Sequence, residues 1–259
     1  MKWKKQKGGG VWVVGQPEEL PDPLTPPGES GQDKEPTRKP RRDKGEIRLN
    51  DRDLLVLQWI GEQYAVRFDT LQVLLGHSAQ QVTKVENLLG DTSARRVLDR
   101  WKQENLVQDR KILSGQPKWV WLTAHGLRQM NLPYKPKDPV AGQLLHLHLV
   151  NRIRLHAEAK YAHFKSWRGE RQMRYEHWND KAFHVPDGEV ILTNNEVIAV
   201  EIERTLKSRR RIDAIVKQLD HQYGKVWYFV SAETRAAVQA ATDAKRGKFS
   251  LLSLEDFVK

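Results

Sequence analysis

Glu201 and Glu203 stand two apart in the apolar run "VIAVEIE" (197 to 203). A strand sends alternate side chains to opposite faces, so both acids share one face with Val197 and Ala199, leaving Ile198, Val200 and Ile202 on the other. An unpaired ionised carboxylate is costly inside such a strand, so these acids need partners. Asp187, in "VPDG", precedes a second strand, and the turn "TNNE" leads back into the strand that carries Glu201. A hairpin about that turn brings Asp187 and Glu201 to one end of a sheet. Two converging carboxylates are hard oxygen ligands suited to Mg²⁺ or Mn²⁺. Such an ion activates water and stabilises charge on a phosphate undergoing displacement. In that chemistry Glu203 joins the ligands or positions the water, Lys207 or Arg204 offsets the developing phosphate charge, and Glu170 in "WRGER" is a further acid. The structural alternative is an Asx turn at Asp187, with Glu201 and Glu203 paired to Arg204 or Arg209.

Positioning these residues requires a sheet covered on both faces. After "NLPYKPKDPVAG", read as a linker, comes a long helix at "QLLHLHLVNRIRLHAEAKYAHF". The strand pair then leads to a basic helix "LKSRRRIDAIVKQLDHQY", a strand "KVWYFV", a helix "AETRAAVQAATDAKR" and a last strand "KFSLLSL". Alternating helices and strands predict a mixed-sheet α/β domain over residues 140 to 259. In "HLH" (146 to 148), residues two apart on a helix face different ways, so a shared metal role for His146 and His148 is set aside in favour of polar or capping roles. Arg209, Arg210 and Arg211 on the basic helix form either a phosphate track or an exposed face.

Upstream, "LNDRDLLVLQWI" opens a helix with Asn50 as cap and Asp53 three residues on as its capping-box partner. A second helix, "FDTLQVLLG", is expected to stop at Gly76. Residues 77 to 90 show helical spacing without an assigned place. A third helix starts from an Asp-Thr cap in "DTSARRVLDRWKQENLV", with Ala94, Val97, Leu98 and Trp101 at i, i+3, i+4 and i+7. Two extended runs, "LVQDRKI" and "KWVWLT", are joined by "LSGQP" as a hairpin, and "AHGLRQM" closes the unit. Three helices, a hairpin and a helix make a winged helix-turn-helix over 49 to 135, an α+β arrangement overall. That fold lays its third helix in the major groove and its hairpin along the backbone. Arg95, Arg96, Arg100, Lys102, Arg110 and Lys111 lie on those two elements.

Composition agrees with a polyanionic partner. The chain of 259 residues carries a formal charge of +11, favouring nucleic acid first and an acidic membrane surface second. Residues 1 to 48 hold seven of the twelve prolines and seven of the seventeen glycines, the composition of a disordered basic arm. Within it, "KEPTRKPRRDKGEIR" has seven cations against three acids. Without cysteine there are neither disulfides nor thiolate metal sites. No apolar run approaches the ~18 residues of a membrane helix, so a cytoplasmic location is expected.

"PD", a spacer and an acid on the following strand resemble the PD-(D/E)xK, restriction-endonuclease-like superfamily, which implies metal ligands at Asp187 and Glu201. Over about residues 46 to 230 the chain also resembles the replication-relaxation family of plasmid and conjugative-element proteins. The pieces that carry this likeness are "ARRVLDRWKQENLV", "KWVWLTAHGL", "HLHLVNRIRLH", "WRGER", "VPDG" and "VEIERTLKS". The resemblance implies a winged helix fused to a nuclease-like domain, DNA binding, and Mg²⁺- or Mn²⁺-dependent nicking in replication or mobilisation. It also matches Asn151 and His146 to the edge of the nuclease site. The chain departs from the superfamily where its lysine, two residues past the acid, is replaced by Glu203; Lys207 is the substitute charge expected on the following helix. The alternative function is a non-catalytic winged-helix regulator or accessory factor with a degenerate nuclease-like domain.

Overall fold

The capping box at Asn50 is present in full: Asn50 accepts the Asp53 N–H at 2.9 Å and Asp53 accepts the Asn50 N–H at 3.3 Å. It starts α1 (Asp51–Glu62) in a computed structural model that describes residues 49–77, 88–245 and 247–257. The basic arm of residues 1 to 48, and residues 78 to 87 of the unplaced stretch, lie outside the described residues. After β1 (Val66–Arg67), α2 (Phe68–His77) continues through Gly76 rather than stopping there. Helix α3 (Asp91–Gln103) buries Ala94, Val97, Leu98 and Trp101, as its spacing predicts. Its N-cap is Gly90, and Asp91 lies inside the first turn, paired with Arg95 at 2.6 Å. The expected Asp-Thr cap is therefore replaced by an acid that complements the helix dipole.

Strands β2 (Val107–Arg110) and β3 (Trp119–Leu122) form the expected antiparallel hairpin, and β1 adds to the free edge of β3. Its connection turns at Gly115, whose φ of +75° suits glycine. Helix α4 (Ala124–Gln129) follows from a Thr123 cap. The order helix, strand, two helices, two strands is that of a winged helix-turn-helix.

Helix α5 (Leu144–Lys160) leads to β4 (Phe164–Gly169), α6 (Glu170–Glu176), β5 (Gly188–Leu192), β6 (Val197–Glu203), α7 (Arg209–Gln222), β7 (Lys225–Val230), α8 (Ala232–Thr242) and β8 (Phe249–Ser253). The five strands form one mixed sheet in the order β4-β5-β6-β7-β8, antiparallel up to β6 and parallel beyond it. Ile198, Val200 and Ile202 pack with α5 residues Leu149, Val150 and Ile153, whereas Ala199 packs with α7 residues Ile212, Val216 and Leu219. Glu201 and Glu203 consequently face the α7 side, buried at 5% and 1% exposure.

The described residues from 49 onward form one compact unit, and polar contacts tie α5 to α1 and to the residue before β1. Trp59 Nε1 donates to Glu158 at 3.0 Å, Arg154 pairs with Glu62 at 2.9 Å, and Asn151 Nδ2 donates to the Ala65 carbonyl at 2.9 Å. Leu155 of α5 belongs to the core built on α1, α2 and α3. Asn151 thus serves the junction with the winged helix. Among the described residues no helix is long and apolar enough to cross a membrane.

Candidate functional site

The hairpin that carries the acids is set by its register. Gly188 pairs with Val200 and Glu189 with Ala199, so Asp187, one residue before β5, stands opposite Glu201. A Cβ on Gly188 would lie 2.0 Å from the Trp167 ring; glycine is required for β5 to pass under it. Asp187 makes no Asx turn among its hydrogen bonds. Its Oδ2 accepts the Ile202 N–H at 2.8 Å and its Oδ1 meets His146 Nε2 at 2.8 Å. The first of these bonds laces the entry of β5 to β6.

Each acid of the row has its own basic partner. Glu201 Oε2 lies 3.2 Å from His184 Nε2. Burial, then the charge of Asp187, pushes the Glu201 carboxyl up to about 7, with His184 and Lys207 pulling the other way. Glu203 Oε2 lies 2.8 Å from Lys207 Nζ, an ion pair off the line of a good hydrogen bond. Lys207 sits in the loop before α7, not on the helix where the sequence reading placed it. Although its own burial disfavours a charged His146, the hydrogen bond and charge of Asp187, followed by the charges of Glu170 and Glu201, leave the imidazole above its ordinary value.

The structure adds a fourth acid. Glu189, 1% exposed, takes Arg168 at 2.6 Å and the Tyr223 hydroxyl at 2.6 Å. Its alternation with Val190 and its register opposite Ala199 put it on the same face as Glu201. Neither His184 nor Arg168 has a sequence signal, because each meets its acid from a distant segment. Tyr228 pairs in register with Glu201. Its hydroxyl is buried beside Glu203, and burial, then the charges of Glu201, Glu203 and Asp187, raise its pKa.

Among the described residues no group of three or more His, Asp or Glu side chains is gathered to hold a metal ion. The donor set still fits Mg²⁺, which usually takes one or two carboxylates with waters and substrate phosphates. Asp187 and Glu201 are close enough to repel, and Glu203, paired with Lys207, lies beside them on the same face. Glu170, at the start of α6, is paired with Arg174 at 2.6 Å and lines the same cleft as His146.

The basic residues divide by partner. Arg100 is drawn inward to Asp53, which is fully buried, and Lys102 bridges to Asp109 at 2.6 Å. Arg95 and Arg110 form exposed pairs with Asp91 and Asp138, while Arg96 and Lys111 are exposed and form no ion pair with a described residue. In α7, Arg209 pairs with Asp213 at 3.0 Å, and Arg210 and Arg211 are exposed beside the loop that carries Lys207. No protein-family model matches the chain, and no curated protein matches it.

Proposed function

We propose that this chain is a cytoplasmic DNA-binding protein that engages duplex DNA through its winged helix and acts in plasmid or conjugative-element replication or mobilisation, as its resemblance to the replication-relaxation family implies. The observation that carries the binding step is the outer face of α3 and the adjoining hairpin. Arg95, Arg96, Arg110 and Lys111 are exposed there, on the two elements that such a fold presents to DNA. Arg100 and Lys102 instead act mainly within the fold. If the four outward cations each neutralise a phosphate, the log-log salt slope is about −3.6. Titrating the full-length chain into labelled duplex over a range of salt tests this reading, and a protein that ignores duplex DNA at low salt overturns it.

The acid row supports a second step, metal-dependent nicking. Asp187 and Glu201 would hold Mg²⁺ or Mn²⁺, which when bound supplies Lewis acidity and an activated water. His146 and His184 would have to yield their hydrogen bonds, Lys207 would offer charge beside Glu203, and the exposed Arg210 and Arg211 would hold the backbone. The rival is a non-catalytic regulator in which His146, His184 and Lys207 permanently occupy the carboxylates of a degenerate acid row. Incubation of supercoiled plasmid with the protein and Mg²⁺ or Mn²⁺ separates them: relaxed circles from wild type but not from Asp187→Asn support the enzyme, and their absence supports the regulator.

A further inference from the structure

Residues 133 to 137, inside the stretch 131 to 142 that is a linker by composition, form one wall of a groove of about 690 Å³ whose aromatic surface includes Tyr64, Tyr134, Tyr175 and Trp178 and whose cations include Lys135 and Lys137. Two of the aromatics have internal work. Tyr64 and Tyr134 sandwich the Arg171 guanidinium, 4.8 and 4.7 Å from their ring centroids, and Arg171 donates to the Gly61 and Lys135 carbonyls at 2.8 and 2.6 Å. That buried clamp holds the groove wall to α1 and α6. Neither Tyr175 nor Trp178 holds a cation; Tyr175 meets only the Tyr134 ring, edge to face with centroids 6.1 Å apart. Trp178 is 77% exposed and Tyr175 54%, although the other described tryptophans are buried or half-buried. Leaving an indole in water forgoes the large apolar burial that normally holds tryptophan inside.

Lys135 and Lys137 form no ion pair with a described residue; Lys137 Nζ lies 5.8 Å from the Tyr64 ring centroid. The nearby acids are already engaged, Glu170 by Arg174 and Asp138 by Arg110 and Trp121. The groove also continues. Tyr64, Lys137 and Arg174 line a second cleft of about 520 Å³ that reaches His146, the imidazole on Asp187.

Exposed ring faces beside unpaired cations suit one class of ligand. Bases stack on aromatic rings while the backbone follows positive charge, and stacking accepts any base because every base has a π face. Duplex DNA, with its bases already stacked on one another, cannot offer those faces. We propose that this groove binds single-stranded DNA, with Tyr175 and Trp178 as stacking platforms and Lys135 and Lys137 on the backbone, and leads the strand toward Asp187. The proposal rests on the DNA-binding reading above and adds a separate site for the unpaired strand.

The test measures anisotropy of a fluorescent oligo(dT) and, separately, of a labelled duplex, both with the full-length chain. In the Tyr175→Ala/Trp178→Ala variant we expect oligo(dT) affinity to fall about tenfold or more while duplex affinity is unchanged. Trp178→Phe should restore most of the loss due to Trp178→Ala, since a phenyl ring still stacks. Lys135→Glu/Lys137→Glu should weaken oligo(dT) binding and flatten its salt dependence. Unchanged oligo(dT) affinity in the double-alanine variant overturns the proposal, including the case in which this face serves a protein partner. A wild type that holds oligo(dT) through Trp178 but ignores duplex sinks the winged-helix reading and leaves the groove supported.

Discussion

His146 and Asp187, 41 residues apart in sequence, meet at 2.8 Å where α5 passes the entry to β5. The bond joins the long helix to the acid row, and the raised basicity of His146 gives it a pH dependence. A histidine whose folded-state pKa exceeds its unfolded value stabilises fully below the unfolded value, near 6.5, and loses that contribution as pH rises through the raised one. The difference in melting temperature between wild type and His146→Gln should therefore be largest below pH 6 and shrink toward pH 8. Because the ring is one-third exposed, its size should stay within about 1 kcal/mol. A difference that grows with pH contradicts the pairing.

Glu201 gives a pH dependence of the same sign, the reverse of the usual one for a carboxylate. Its ordinary value near 4.5 is raised to about 7, so between those values the folded state holds a proton that the unfolded state has released. Stability must then fall as pH rises through this window, by up to about 3 kcal/mol. Glu201→Gln removes that slope. Urea denaturation at pH 5 and pH 8 should show the variant gaining on wild type at the higher pH, less the weakened contact with His184. Equal pH dependence in both proteins would mean that Glu201 is ionised throughout.

A divalent ion should relieve the same repulsion. At pH 8, Mg²⁺ or Mn²⁺ at ten times its dissociation constant adds about 1.4 kcal/mol to the stability of a protein that binds it only when folded. Wild type should show this rise in melting temperature, and Asp187→Asn and Glu201→Gln should not. The same rise in both variants would place the ion elsewhere.

Local patterns carried much of this architecture into the sequence. The Asn50 capping box, the buried stripe of α3 and the alternation in β6 depend on residues within a few positions of one another, and the hairpin that opposes Asp187 to Glu201 needs only one turn between two strands. What was hidden depends on tertiary contact. His184 reaches Glu201 across 17 residues, Tyr223 reaches Glu189 across 34, and Arg171 reaches the Gly61 carbonyl across 110. The stretch 131 to 142 reads as a linker from its prolines and becomes a groove wall only because Arg171 is clamped between Tyr64 and Tyr134. Arg100 likewise reads as an outward cation until α3 packs against α1 and Asp53 draws it in.

Arg96 and Arg100 should therefore separate binding from folding. Removing Arg100 leaves the buried Asp53 with only Arg52 and the Asn50 cap, a loss of about 2 kcal/mol, below the range for a fully buried pair because Arg100 is 32% exposed. Arg96→Ala should leave stability within about 0.5 kcal/mol and weaken duplex binding, with a salt slope less steep by about 1. Denaturant melts and anisotropy on the same two variants check both halves. An Arg100→Ala protein as stable as wild type would return that residue to the DNA face.

His148 is the acid-sensitive counterpart on α5. Both its ring nitrogens are buried without hydrogen-bond partners, and burial, then the charge of Arg67, lowers its pKa to about 4, Asp69 opposing. The folded chain keeps this ring neutral where the unfolded chain protonates it below about 6.5, so stability must fall as pH drops from 6.5 toward 4. Between pH 6.5 and pH 5 the fall is about 2 kcal/mol from this group. A His148→Phe variant retains a ring, removes two buried polar atoms that bond nothing, and has no proton to gain; such replacements are neutral to stabilising at neutral pH. Urea denaturation at pH 7.5 and pH 5 should show similar stabilities at the first and a more stable variant at the second. If wild type and variant decline together, His148 finds a proton acceptor on acidification and its burial is not the source of the strain.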